Sequence, residues 1–272
     1  MIDGGPRSPD HPITRSPDQK LTAIVTTLNE EGNIADCLAT LSFADEILVV
    51  DSFSTDRTVP IASAVPKVRL LQHEYAGNGP QCNWAMDQAS HPWVLIVDAD
   101  ERVPPALARE IATLLEKGPA ADYYKLRRDN LFVRKVIRHS GWGQDRLVRL
   151  VRRGRARYPE QRVHADMSPD GPTPTLEAPL IHYTVRSIPQ YVEKLHRYAE
   201  WGAQDLAQRR RRAGLIEVAL RPAWRFLRCY LLQAGFLDGL HGLVVCALQS
   251  YGVFLKWSRL WELNRTTKAP AS

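Results

Sequence analysis

Pro92-Trp93-Val94-Leu95-Ile96-Val97-Asp98-Ala99-Asp100-Glu101-Arg102 is the stretch that decides the fold. It is apolar from Trp93 to Val97 and then stops at two carboxylates one residue apart. A run of that length, rich in β-branched residues, reads as a strand buried on both faces. Alternate side chains of an extended chain point the same way, so Asp98 and Asp100 can face one site at the strand's carboxyl end. Open α/β sheets hold their ligands at that edge. Carboxylates there suit a hard divalent cation, Mg²⁺ or Mn²⁺, shared with substrate phosphates. A competing reading makes Asp98 to Glu101 the cap of a helix that begins at Pro104.

The preceding segments repeat the pattern. Leu21 to Thr27 is a first strand, broken by Leu28 to Asn33 and followed by helical spacing from Ile34 to Leu41. Glu46 to Asp51 is a second buried strand that also ends on a carboxylate. Ser52 to Thr58 turns and caps a helix running to about Ala64, Val68 to Leu71 is a short third strand, and Gly77 to Pro80 opens a helix over Gln81 to Ala89. Strands alternating with helices at this spacing predict βαβ units and a parallel sheet. Right-handed crossovers then gather Thr26, Asp51 and Asp98 along one edge. Acidic groups on neighbouring strand ends repel one another unless they bind something, which favours the cation reading. Neither GxGxxG nor GxxxxGK[ST] occurs at these turns, which argues against a nicotinamide enzyme or a P-loop NTPase. After Val103 the pattern loosens: a helix from Pro104 to Leu115, then strands over Tyr123–Arg128, Leu131–Ile137 and Leu147–Val151.

Charge divides the chain unevenly. The 272 residues carry a net +6. From Arg186 onward, 14 Lys and Arg stand against 6 Asp and Glu, giving +8; the first 185 residues carry 22 against 24, giving −2. A near-neutral body with a basic tail implies an anionic partner for the tail. Cys37, Cys82, Cys229 and Cys246 show no metal-ligand spacing and read as reduced core thiols of a cytosolic protein. Met1 to Gln19 has no apolar core segment and reads as a disordered leader. The expected organisation is a leader over 1–19, a catalytic domain over 20–185 and a basic helical, membrane-peripheral region over 186–272.

Three motifs in one order carry a resemblance: Ala23-Ile24-Val25-Thr26-Thr27-Leu28-Asn29-Glu30-Glu31, Ile47-Leu48-Val49-Val50-Asp51-Ser52-Phe53-Ser54-Thr55-Asp56 and Val97-Asp98-Ala99-Asp100-Glu101. Together they resemble a family 2 glycosyltransferase with a GT-A fold, a Rossmann-like mixed α/β sheet that binds a nucleotide sugar. The resemblance implies that Thr26 and Glu30 line the nucleotide site, with Leu28, Ser52, Gln81 and Ala99 among the donor-site candidates. It implies that Asp51 accepts from base or ribose, that Asp98 lies near the ribose, and that Asp100, with Asp98, holds the metal on the diphosphate. Such a metal stabilises the leaving group as a Lewis acid. For Asp51 the alternative is an ordinary helix cap. Gly77 to Ala85 also resembles the family, although many members carry Lys or Arg where this chain has Cys82.

Ser140-Gly141-Trp142-Gly143-Gln144-Asp145-Arg146 resembles the acceptor-side segment, in which an Asp often serves as general base. Asp145 is therefore the first candidate for the group that takes the acceptor hydroxyl proton. Its competing reading is a salt bridge to Arg146 or Arg149. In the subgroup most similar to Arg162-Val163-His164-Ala165-Asp166, a Glu follows Val-His; here Ala165 stands in its place. Asp166 is the second candidate base, and His164 is a candidate to orient a substrate or a carboxylate. His182 ends a short strand without an assigned role.

The carboxyl-terminal layout is similar to bacterial β-glucosyltransferases of the lipopolysaccharide core. Trp224, Phe226, Leu227, Tyr230 and Leu231 interleave with Arg221, Arg225 and Arg228, a pattern suited to a membrane surface. Leu240 to Leu255 is apolar but short for a membrane span. Packing on the catalytic domain or a dimer contact is the alternative for these helices. Aromatic residues among basic ones also occur in nucleic-acid binders, but no nucleic-acid module is present. The expectation is an inverting, metal-dependent transfer of a hexose, glucose from UDP-glucose, to a glycolipid at the inner face of the cytoplasmic membrane. Sugar transfer to a polyprenyl phosphate, which needs no base, is one alternative; a non-catalytic membrane-associated sugar-nucleotide binder is another.

Overall fold

The computed structural model describes residues 16–159, Met167 and residues 169–266. The chain divides into two compact units, Met1–Leu126 with Leu147–Ala178, and Arg127–Arg146 with Pro179–Ser272.

The first unit is built on the predicted parallel strands. β1 (Leu21–Thr27), β2 (Glu46–Asp51), β3 (Val68–Gln72) and β4 (Trp93–Asp98) lie in the order β3-β2-β1-β4, all parallel. β1 is central, and its register sets the functional edge: Thr27 sits opposite Asp51 on one side, and Thr26 opposite Asp98 on the other. Helices α1 (Ile34–Ala39), α2 (Thr58–Ser63) and α3 (Asn78–Gln88) connect these strands. Burial on both faces accounts for the unbroken apolar runs: Ile24, Leu48, Val94 and Ile96 are fully buried, in one cluster with Cys82, Ala85 and Met86 of α3. Glu101–Arg102 form a two-residue β5, and α4 (Pro105–Lys117) starts with a proline and no side-chain cap. The helix-capping reading of Asp98 to Glu101 therefore fails; those residues are used elsewhere.

Three further strands contribute residues to both units: β6 (Tyr123–Phe132), β8 (Arg146–Arg152) and β9 (Thr175–Val185). β8 pairs antiparallel with β4, Leu95 opposite Leu150, which makes the sheet mixed. The two strands expected over Tyr123–Arg128 and Leu131–Ile137 are one long β6 and a hairpin return, β7 (Lys135–Val136), with Phe132 opposite Lys135. The turn between them is Val133-Arg134, both at positive φ. A β-branched residue in the left-handed region is uncommon, so composition gave no turn signal there.

The second unit is mostly helical: α5 (Ile188–Gln208), α6 (Arg221–Leu227) flanked by π-helical turns Ile216–Leu220 and Arg228–Leu232, and α7 (Gly239–Thr266). Ser187 caps α5 by accepting from the Gln190 N–H. Phe132, Ile137, Val185 and Val245 form one core cluster, and Ala203, Trp257 and Leu260 another. The helical run Ile216–Leu232 turns back by 71° before Gly235–Thr266. Glycines set that bend. A Cβ on Gly242 would lie 1.9 Å from the Gly235 carbonyl oxygen, and one on Gly235 would lie 2.7 Å from both Cys246 Sγ and Ser140 Oγ. No single described helix is long and apolar enough to cross a membrane; only the bent pair reaches that length and composition together.

Candidate active site

At the carboxyl ends of β1, β2 and β4 the chain makes loops that bind one another. Asn29, at φ 54°, donates its N–H to Ser54 Oγ (2.8 Å) and accepts the Thr55 N–H on its side-chain oxygen (2.8 Å). The Glu30 N–H donates to Thr58 Oγ1, and Glu30 accepts from Asn33 Nδ2 at 2.6 Å. These bonds fix Asn29 and Glu30 against the segment between β2 and α2, where Leu28 and Phe53 stay exposed. Phe53 holds a left-handed φ of 61°.

Asp51 is fully buried. One carboxylate oxygen accepts the Ser54 N–H and Gln72 Nε2, each at 3.0 Å, and the other accepts the Ser54 hydroxyl. In this structure Asp51 thus ties its own turn and caps no helix, since α2 begins at Thr58 without a side-chain cap. The neighbouring Ser52 hydroxyl accepts from Gln81 Nε2 (3.1 Å), and Gln81 Oε1 meets His73 Nδ1 (2.8 Å), whose ring stacks on Trp84. Asp51, Ser52 and Gln81 are therefore one connected group.

Asp98 sits at the centre of a charged cluster. Arg149 Nη2 donates to Asp98 Oδ2 at 2.6 Å and to Glu101 Oε1 at 3.3 Å, and Glu101 Oε2 accepts the Asp98 N–H at 2.9 Å. Arg149 and Glu101 are buried. Burial alone would lower the arginine's pKa, but the Asp98 and Glu101 carboxylates beside it hold it charged, well above the usual arginine value. Arg102 braces the same turn, donating to the Ala99 carbonyl (3.0 Å) and to the Asn33 carbonyl (3.1 Å). Asp100 follows buried Ala99 and is half-buried. Cys82 is enclosed with its thiol against Asn78 Oδ1, and burial pushes it up to about 12, so that position offers no charge to a phosphate.

Two hard carboxylates on one turn fit a divalent cation that draws its remaining ligands from donor phosphates and water. Among the described residues there is no group of three or more His, Cys, Asp and Glu that could hold a metal by itself.

The second unit carries Asp145. Its Oδ2 accepts Arg128 Nε (2.9 Å), Arg128 Nη2 (2.6 Å) and Asn130 Nδ2 (3.0 Å). The ion pair is therefore to Arg128, and neither Arg146 nor Arg149 is the partner. Asn130 is buried, and its Oδ1 meets His182 Nδ1 at 2.7 Å and the Thr184 hydroxyl at 3.0 Å. That places His182 behind Asn130. His164, Ala165 and Asp166 lie outside the described residues.

Sequence reasoning missed Arg149, Glu101, Arg128 and Asn130 as members of these groups. One signal was present: Arg149 interrupts Leu147 to Val151, and an arginine inside an otherwise buried strand needs a carboxylate partner.

The chain matches the family described as "Glycosyl transferase family 2" over residues 22–166. It is 25% identical, over 93% of this chain and 96% of the relative, to "Lipopolysaccharide core biosynthesis glycosyltransferase LpsC" of Rhizobium meliloti. It is 26% identical to "Uncharacterized glycosyltransferase RT0209" of Rickettsia typhi, over 90% of this chain and 88% of the relative. Among solved structures, the mannosyltransferase PcManGT from Pyrobaculum calidifontis, described in complex with GDP-Man and Mn²⁺, superposes over 93% of this chain and 91% of its own with a TM-score of 0.52 at 20% identity. A mixed sheet with β1 central, carboxylates on the strands flanking it and a match over more than half the chain lead to one conclusion: this protein belongs to glycosyl transferase family 2 and is a glycosyltransferase of the GT-A fold.

Proposed function

We propose that this enzyme is an inverting, metal-dependent hexosyltransferase that moves glucose from UDP-glucose to a glycolipid, such as a heptose of the lipopolysaccharide inner core. The observation that carries the reading is the edge register: Asp51 and Asp98 end the strands on either side of Thr26 and Thr27, and Asp100 follows on the next turn. Likeness over nearly the full length to a lipopolysaccharide core glycosyltransferase supports the acceptor class. The lipid acceptor and the basic helical region over 186–272 support a location at the inner face of the cytoplasmic membrane.

In this reading the donor nucleotide lies along the loops that carry Thr26, Leu28, Glu30, Ser52 and Gln81, with Asp51 holding the loop beneath it. Asp100 is the principal metal carboxylate, and Asp98 contributes the oxygen that Arg149 leaves. The bound cation supplies Lewis-acid stabilisation of the departing diphosphate. Arg149 and Glu101 hold Asp98 in one rotamer, so the site needs little rearrangement when the donor arrives. Asp145 takes the acceptor hydroxyl proton on Oδ1, since Oδ2 is occupied by Arg128 and Asn130. Attack of the acceptor oxygen on the anomeric carbon, opposite the departing diphosphate, gives inversion.

The test is isothermal titration with UDP, with and without Mn²⁺, on the wild type and Asp100→Ala, followed by turnover with UDP-hexoses. Metal-dependent binding that the variant loses supports the donor site. Absence of UDP binding in the wild type overturns the UDP reading.

A further inference from the structure

The second unit turns an apolar face outward. Along Ile216–Leu232 the side chains of Ile216, Leu220, Trp224, Leu227 and Leu231 recur at spacings of three and four and are all exposed, Trp224 by 58%. The opposite side of the same run is the packed one. Pro222 and Cys229 are buried, the Pro222 carbonyl accepts from Ser250 of α7, and Arg225 donates to Gln249 of α7. Phe226 and Tyr230 stack on each other and are only half exposed, so they are not the outermost aromatics. Past the bend, Phe236, Leu237, Leu240 and Leu243 are exposed too, Leu240 by 72%. A monomeric protein seldom leaves that much contiguous apolar surface in water.

Charge decides what covers it. Between Arg209 and Leu232 the chain has seven arginines and one acid, Glu217, a net +6. Arg209 to Arg212 and Arg228 are exposed. A second copy docked face to face would set this charge against itself, at a cost that water would not fully screen. An anionic phospholipid bilayer answers both features, since apolar side chains enter the headgroup boundary while arginines remain at phosphate level. The glycine-locked 71° bend keeps the two apolar segments in one arrangement before docking.

We infer that the outward face of Ile216–Leu232, continued by Phe236–Leu243, is a bilayer-docking surface for anionic phospholipid. It extends the membrane location just proposed and rests on that reading only for the side of the membrane. The surface is interfacial, since no single described helix is long and apolar enough to cross the bilayer.

The full-length protein is sedimented with phosphatidylglycerol–phosphatidylethanolamine vesicles and, separately, with phosphatidylcholine vesicles. Co-sedimentation with the anionic vesicles, reversed by high salt, is expected. Combined Leu220→Asp, Trp224→Asp and Leu231→Asp should abolish it, and Gln at each of Arg209 to Arg212 should weaken it by about fivefold per arginine. A thermal melt and UDP titration on each variant separate loss of docking from loss of fold, and loss of docking from failure of the donor reading. Equal binding to both vesicle types overturns the inference, as does membrane binding that resists alkaline carbonate. So does a solution dimer that the triple variant splits when no vesicle binding occurs.

Discussion

Arg149 Nη2 stands 2.6 Å from Asp98 Oδ2, joining residues 51 positions apart at the carboxyl edge of the parallel strands. The guanidinium is almost wholly buried between two carboxylates, so its removal strands both. Breaking a buried pair on one side costs about 3–5 kcal/mol. Arg149→Ala should therefore lower the melting temperature and weaken UDP binding together. Arg149→Lys keeps the charge on a shorter side chain that places it less well between Asp98 and Glu101, and should fall between. A melt and a UDP titration on both variants check this; wild-type UDP affinity in a folded Arg149→Ala would remove Arg149 from the donor site.

Asp100 carries the prediction about metal. It is half-buried on the turn after β4. Asp100→Asn keeps the shape of the side chain but not its charge, and should lose the Mn²⁺-dependent part of UDP affinity. Titration with and without metal reads that difference directly.

How far the sequence reached depends on the range of the interaction. The parallel strands and the edge carrying Thr26, Asp51 and Asp98 follow from local periodicity plus one handedness rule, and β1, β2, β3 and β4 appear where apolar runs place them, whereas their order came only from the structure. Arg149 could not be matched to Asp98 in this way, because the antiparallel return of β8 beside β4 brings them together. Asp145 was legible as a motif residue, but its partner Arg128 was not, since β6 continues through a region that read as a break. The turn at Val133-Arg134 was hidden because neither residue type favours positive φ. Asp51 stood out as a strand-end acid, yet its burial under Ser54 and Gln72 depends on loop geometry that no periodicity encodes.

Asp145 carries a kinetic prediction. With Oδ2 held by Arg128 and Asn130, loss of the carboxylate should slow turnover by about 10²–10⁴-fold, the usual worth of a general base. Asp145→Asn should leave UDP binding intact. Asn130→Ala removes the bond that orients the carboxylate and leaves His182 and Thr184 without their acceptor on that side chain. It should reduce kcat more than it raises KM for the acceptor. Steady-state rates of the two variants with one acceptor check both; undiminished turnover in Asp145→Asn would favour an acceptor that is already anionic.

Stability below neutral pH should depend on Glu46. This half-buried β2 carboxylate accepts from Thr22 Oγ1 (2.7 Å), Arg69 Nε (2.8 Å), the Ser90 N–H (2.9 Å) and the Ser90 hydroxyl (2.8 Å). Burial alone would raise its pKa, but those bonds outweigh it and bring the value from 4.5 down to about 2. A depressed carboxylate stabilises the fold fully above its unfolded pKa and ceases to do so as pH falls through the folded one. The contribution, roughly 2–3 kcal/mol by linkage, is therefore present at neutral pH and lost between pH 4.5 and about 2. Glu46→Gln should be less stable at neutral pH and show a flatter stability profile across that window. Urea unfolding at several pH values reads the slope; a wild-type slope in Glu46→Gln would assign the acid sensitivity to another group.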